Sequence, residues 1–180
     1  MHEMTATNLR SAYGGESMAH MRYRTWGRHA VEAGFPNVGR LFQAIAYAEE
    51  VHANNHFREL GAESGAFPVT SAAGFGLGSV SEHLAGAIEG ETFEIEEMYP
   101  TYKQTAQFQK EPGAVKSFHY AVSAEQIHAR MYTDAKKTVD AGKDIELGPV
   151  QICETCGYTV EGEAPEVCPI CQRREFRAFP

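Results

Sequence analysis

Glutamate and histidine recur along this chain at helical spacing: Glu16, then Glu49-x-x-His52, then Glu91-x-x-Glu94, then Glu125-x-x-His128. Residues three apart on an α-helix project to the same side. Each group lies on an otherwise apolar stripe. Leu9, Tyr13 and Tyr23 flank Glu16. Leu41 and Ile45 precede Glu49. Leu84, Ile88 and Met98 surround Glu91, and Phe118, Ala121 and Tyr132 surround Glu125. The carboxylates therefore point inward. A buried charge without a partner costs several kcal/mol, so this set demands metal or protons. Glu16, Glu49, Glu91, Glu94, Glu125, His52 and His128 can hold a pair of iron or manganese ions inside four helices. Oxygen-rich ligation suits those metals and tolerates both ferrous and ferric states.

The punctuation supports four helices. The first runs from about residue 8 to 33 and ends at Gly34-Phe35-Pro36; the second runs from about 38 to 60. Residues 61–78, rich in Gly and containing Pro68, form a long connection. Ser79-x-x-Glu82 is a capping box that opens the third helix. Glu111-Pro112-Gly113 separates it from the fourth, which runs from about 114 to 139. Two helix pairs joined by one long crossover make an all-α, ferritin-like four-helix bundle. Ala48-Glu49-Glu50-Val51-His52-Ala53 returns as Ala124-Glu125-Gln126-Ile127-His128-Ala129, and Gly15-Glu16-Ser17 as Gly90-Glu91-Thr92. Matching offsets of about 75 residues indicate a duplicated hairpin and approximate twofold symmetry.

The expected organisation is a bundle over 1–140, a linker over 141–151 and a small β-rich domain over 152–180. The last part is too short for an apolar core and needs a metal to fold. Cys153-x-x-Cys156 and Cys168-x-x-Cys171 supply a tetrahedral four-thiolate site for one iron or zinc. Zinc would make this tail structural; iron would make it a one-electron carrier. Gly157 follows the first pair where a left-handed residue lets backbone N–H groups reach sulfur. A formal net charge of -8 argues against nucleic-acid and anionic-membrane partners. No leader segment or membrane span is evident, and cysteines confined to metal-type pairs suit a reducing cytoplasm. Glu50, Glu96 and Glu97 are expected to face solvent. His20 and His56 are expected as hydrogen-bonded core residues, and His2, His29 and His83 as surface residues. Tyr23 and Tyr99 either pack near the metals or hydrogen bond to their carboxylates.

These motifs together resemble the rubrerythrin family. Gly15-Glu16-Ser17, Arg22-Tyr23, both Glu-x-x-His pairs, Gly90-Glu91-x-x-Glu94 and Glu97-Met98-Tyr99-Pro100 look like its bundle. Cys153-x-x-Cys156-Gly157-Tyr158 and Cys168-Pro169-Ile170-Cys171 look like its rubredoxin-like tail. The resemblance implies a non-haem di-iron peroxidase that turns hydrogen peroxide into water in oxidative-stress defence. The tail iron would relay electrons from an external donor, a rubredoxin or an NAD(P)H-dependent reductase. It also implies the seven bundle ligands named above, with one iron moving between His52 and Glu94. A homodimer, helix-swapped in some members, is implied too. The rival reading is a ferroxidase, iron-storage or oxygen-reducing bundle with a structural zinc tail. Gln172 departs from the pattern where such tails usually carry Gly, and His20 stands at an often basic position.

Overall fold

The computed structural model describes residues 1–180. Helix α1 spans Glu3–Glu32 and α2 spans Pro36–Glu59. Helix α3 spans Val80–Phe93, passes into a π turn at Glu94–Met98, and continues as α4, Tyr99–Phe108; α5 spans Pro112–Asp140. Four rods result, since α3, the π turn and α4 form one. The first helix starts about five residues earlier than its apolar stripe indicates. His2 N–H, donating to Glu111 beside the start of α5, pins that early turn.

Local signals account for most boundaries. Ser79 and Glu82 form the capping box, with Glu82 accepting from Ser79 N–H at 2.7 Å. Pro36 occupies the first turn of α2, whose N-cap residue Phe35 has no side-chain acceptor. Asp144, from the connection after α5, replaces it by accepting from Asn37 N–H at 2.8 Å and Val38 N–H at 3.2 Å. That segment is thus tied down: Ile145 is buried in the bundle core, and Arg40 donates to the carbonyls of Leu147 and Gly148. Helices α1 and α2 cross closely, because a Cβ on Gly39 would meet Gly27 O at 2.7 Å.

Two apolar clusters enclose a polar layer. One gathers Tyr23, Trp26, Phe42, Ile45, Leu84 and Tyr132. The other gathers Leu9, Leu60, Met98, Tyr99, Phe118 and Ala121. The tail is a three-stranded antiparallel sheet of β1 Val150–Cys153, β2 Thr159–Glu161 and β3 Phe176–Phe179, in the order β2-β1-β3. Val150 and Ile152 of β1 pack against Ala44 and Ala48 of α2, so the tail sits directly on the bundle. No helix is long and apolar enough to cross a membrane.

The π turn has a counting explanation. Glu16 and Glu91 are 75 residues apart, whereas Tyr23 and Tyr99, and Glu49 and Glu125, are 76 apart. The second hairpin therefore carries one extra residue between Glu91 and Tyr99. A π turn is how a helix absorbs a single insertion without unwinding. It returns Tyr99 to the inward face that Tyr23 occupies in α1, and both are buried.

Candidate metal centres

Six of the seven expected bundle residues converge in the polar layer. Glu16, Glu49, His52 and Glu125 form one cluster; Glu49, Glu91, Glu125 and His128 form the second. In each, one donor atom per residue lies within 4.8 Å of all the others. Every one of these side chains is buried. Glu125 gives one oxygen to each half, at 2.8 Å from His52 Nδ1 and 2.7 Å from His128 Nδ1. Glu49 does likewise, at 2.9 Å and 3.5 Å. Glu49 and Glu125 are thus placed to bridge, with Glu16 on the His52 side and Glu91 on the His128 side. Glu94, at the start of the π turn, is half-buried and stands outside both clusters.

The electrostatics show what the cage is suited to hold. Burial and the neighbouring carboxylates push Glu16, Glu91 and Glu94 well above the usual carboxylate range. Burial would raise Glu125 too, but the His52 and His128 rings outweigh it and hold it low. Burial opposes protonation of His128, yet Glu125 and Glu49 push it up to about 9. Glu16 Oε2, Glu49 Oε1 and Glu91 Oε2 are buried with no hydrogen-bond partner. Such groups are rare in folded proteins, and a cation would satisfy them. The donor set, acceptor oxygens plus two imidazoles, fits a pair of iron ions.

A surrounding layer orients these groups. Tyr23 donates to Glu91 at 2.8 Å, and Tyr99 donates to Glu16. His56 lies 3.0 Å from the Tyr99 hydroxyl through Nε2 and 2.8 Å from Ser117 Oγ through Nδ1. Because the Tyr99 proton goes to Glu16, the hydrogens run one way: Ser117 to His56 to Tyr99 to Glu16. Burial and nearby His52 hold His56 down to about 3, so it stays neutral. His56 and Tyr132 are 76 apart in the repeat, but the Tyr132 hydroxyl has no partner. His20 is half-buried rather than in the core, with its ring facing Ala46 O at 2.6 Å. Glu50, Glu96 and Glu97 are exposed. His83 is not at the surface as expected. It is only 2% exposed, stacked on Trp26 at 5.0 Å. Its position at the start of α3 concealed this, because the aromatic partner comes from α1.

The four cysteines meet in the tail, all free and with donor atoms within 4.8 Å of one another. Cys153, Cys156 and Cys168 are buried and Cys171 is half-buried. The Cys156 thiol, helped by the N–H groups of Thr155 and Cys156, brings Cys153 down to about 5 against burial. Burial pushes Cys171 up to about 12. Gly157 has φ +78, as the loop requires. Gln172 also adopts a left-handed φ of 62, and its side chain bonds to Cys168 O at 3.2 Å and Pro169 O at 3.3 Å.

Tail and cage touch. His52 Nε2 lies 3.2 Å from the carbonyl of Cys156, a thiolate residue. His128 Nε2 lies 2.8 Å from Thr159 Oγ1. Sequence reasoning did not single out Thr159; nothing in its local pattern marks it, since its partner is 31 residues away.

A ferritin-like bundle with a carboxylate–histidine cage and a four-thiolate tail docked on it defines a class: di-iron proteins with a built-in electron-transfer domain. Residues 7–136 match the sequence model of the rubrerythrin family, and residues 151–175 match that of the rubrerythrin rubredoxin-like domain. The chain is 50% identical over 178 residues to "Rubrerythrin-2" of Clostridium acetobutylicum, covering 98% of this chain and 97% of that one. It is 33% identical to "Nigerythrin" of Nitratidesulfovibrio vulgaris, over 94% of this chain and 82% of that one. A solved nigerythrin structure described as fully reduced, all ferrous, superposes with a TM-score of 0.80 over 99% of this chain and 88% of that one, at 33% identity. The chain belongs to the rubrerythrin family. It is an oxidoreductase-type di-iron protein whose rubredoxin-like domain serves electron transfer.

Proposed function

We propose that this chain is a peroxidase that reduces hydrogen peroxide to water, with electrons delivered through the tail from an external carrier. Reduction of one peroxide to two waters consumes two electrons and two protons. When bound, the iron pair supplies the two electrons and Lewis acidity toward both peroxide oxygens. The residues proposed to hold it are Glu16, Glu49, His52, Glu91, Glu125 and His128, with Glu94 as an added carboxylate on the Glu16 and His52 side. Cys153, Cys156, Cys168 and Cys171 are proposed to hold the tail iron.

The observation that carries this reading is the Cys156 carbonyl against His52. A storage protein has no use for a thiolate site one hydrogen bond from its cage. Tyr23 and Tyr99 hold Glu91 and Glu16 in place. The docked tail covers the outward imidazole edges, with Cys156 O against His52 and Thr159 Oγ1 against His128, and both rings are buried. The half-buried Cys171 is the thiolate most open to a donor.

The test is anaerobic. The iron-loaded chain is reduced, mixed with peroxide or with air, and its absorbance followed. Peroxide is expected to reoxidise it faster; equal or faster reoxidation by oxygen overturns the reading. Glu94→Ala should retain both bundle irons and slow peroxide turnover more than about tenfold, or about 1.4 kcal/mol of barrier. Full iron with unchanged turnover would make Glu94 a spectator.

A further inference from the structure

We propose that Thr159 is a positioning residue that gives the tail a second connection to the cage, through His128, and fixes the tautomer His128 needs to bind metal. The electron-relay part rests on the reading above; the tautomer part does not.

The geometry leaves His128 one outward atom. Its Nδ1 faces Glu125 at 2.7 Å, Glu49 at 3.5 Å and Glu91 at 4.0 Å. Its Nε2 meets Thr159 Oγ1 at 2.8 Å. A hydroxyl can donate or accept, and the two choices have opposite consequences. Were Thr159 to donate, Nε2 would be the lone-pair atom and the ring proton would sit on Nδ1, blocking it. The Gly157 carbonyl, 3.0 Å from Thr159 Oγ1, excludes this by taking the hydroxyl proton. Thr159 is then left only as an acceptor for Nε2–H, and Nδ1 is free to ligate. His52 needs no such device, because a carbonyl, Cys156 O, can only accept.

The same arrangement makes two branches from one thiolate residue. The carbonyl of Cys156 reaches His52. The next carbonyl, of Gly157, reaches His128 by way of Thr159. Each histidine sits in a different half of the cage. Thr159 is 1% exposed and opens β2, paired with Ile152, which packs on α2. Its hydroxyl is therefore held in place. The plain alternative is a threonine that merely satisfies a buried ring nitrogen during packing.

Two variants separate these. Thr159→Val keeps shape and loses the hydroxyl; Thr159→Ser keeps the hydroxyl and loses a methyl. Cobalt(II) binding to the full-length metal-free chain, followed by absorbance, distinguishes bundle sites from the thiolate site. Thr159→Val should weaken one of the two bundle ions about 10–100-fold, the usual effect of removing a group that orients a ligand histidine. Thr159→Ser should restore the parent value. In the reduced iron-loaded chain, reoxidation of the thiolate iron after peroxide should slow in the Val variant and recover in the Ser variant. Parent-like cobalt binding by Thr159→Val overturns the proposal, and so does failure of Ser to restore it. The cobalt measurement needs neither peroxide nor a donor, so failure of the peroxidase reading is seen separately, in the parent chain's own response to peroxide.

Discussion

Replacing Gly157 by Ala tests how tightly the tail depends on His52. The residue has φ +78, and a left-handed conformation costs a non-glycine residue about 1–2 kcal/mol. A Cβ there would also overlap His52 Nε2 and lie 2.7 Å from Cδ2 and 3.1 Å from Cε1. The imidazole cannot retreat, because its other side faces Glu49 and Glu125. Overpacking of this kind costs about 1–3 kcal/mol more, for a total of about 2–5 kcal/mol. Gly162→Ala is the matched control: φ is +91 in the same tail, but nothing lies within 4 Å of the new Cβ. It should cost only the backbone part, about 1–2 kcal/mol. Denaturant titration followed by the thiolate-iron absorbance of the tail measures both. Equal losses in the two variants would show that the tail does not bear on His52, and the proposed relay would lose its physical contact.

The metal-free chain should be less stable at about pH 8.5 than at about pH 6. Glu16, Glu91 and Glu94 have raised values, so above about 4.3 the folded chain holds protons that the unfolded chain releases, and stability falls as pH rises. His52 and His128 are also raised, and their contribution, complete below about 6.5, disappears as pH climbs through about 9 for His128. Glu125 acts oppositely, but only as pH falls through its low folded value; Cys153, held down to about 5, opposes the trend across this range and is outnumbered by the five raised groups. Urea midpoints at the two pH values check this, and a metal-free midpoint that holds or rises with pH refutes it. In the tail, Gln172→Ala should melt below both the parent and Gln172→Gly, because it keeps the left-handed backbone but loses the two side-chain bonds to Cys168 O and Pro169 O. A Gln172→Ala midpoint equal to the parent's would mean those bonds contribute nothing.

The cage was legible because its information is periodic. Glu49-x-x-His52 and Glu125-x-x-His128 announce their face through spacing alone, and burial of charge dictates the need for metal. Spacing gives the side chains of Tyr23 and Tyr99 a direction but no partner; both reach carboxylates. What stayed hidden depends on pairs distant in sequence. Asp144 caps a helix 107 residues away, and the segment holding it looks like an idle linker in composition. His83 is covered by Trp26 of another helix. Thr159 acquires meaning only when the sheet is laid on α5. The break between α3 and α4 was missed because a π turn leaves the apolar stripe almost unbroken.

That single inserted residue has a consequence for direction. A duplicated hairpin left intact would build a cage whose ends could be exchanged without notice. The insertion instead sets Glu94 beside one end only, while the repeat places Ala19 at the corresponding point of α1. The same end carries the ordered hydrogens from Ser117 through His56 to Tyr99; the other ends in a tyrosine hydroxyl that bonds to nothing. Even a symmetric molecule laid across such a cage would acquire a front and a back.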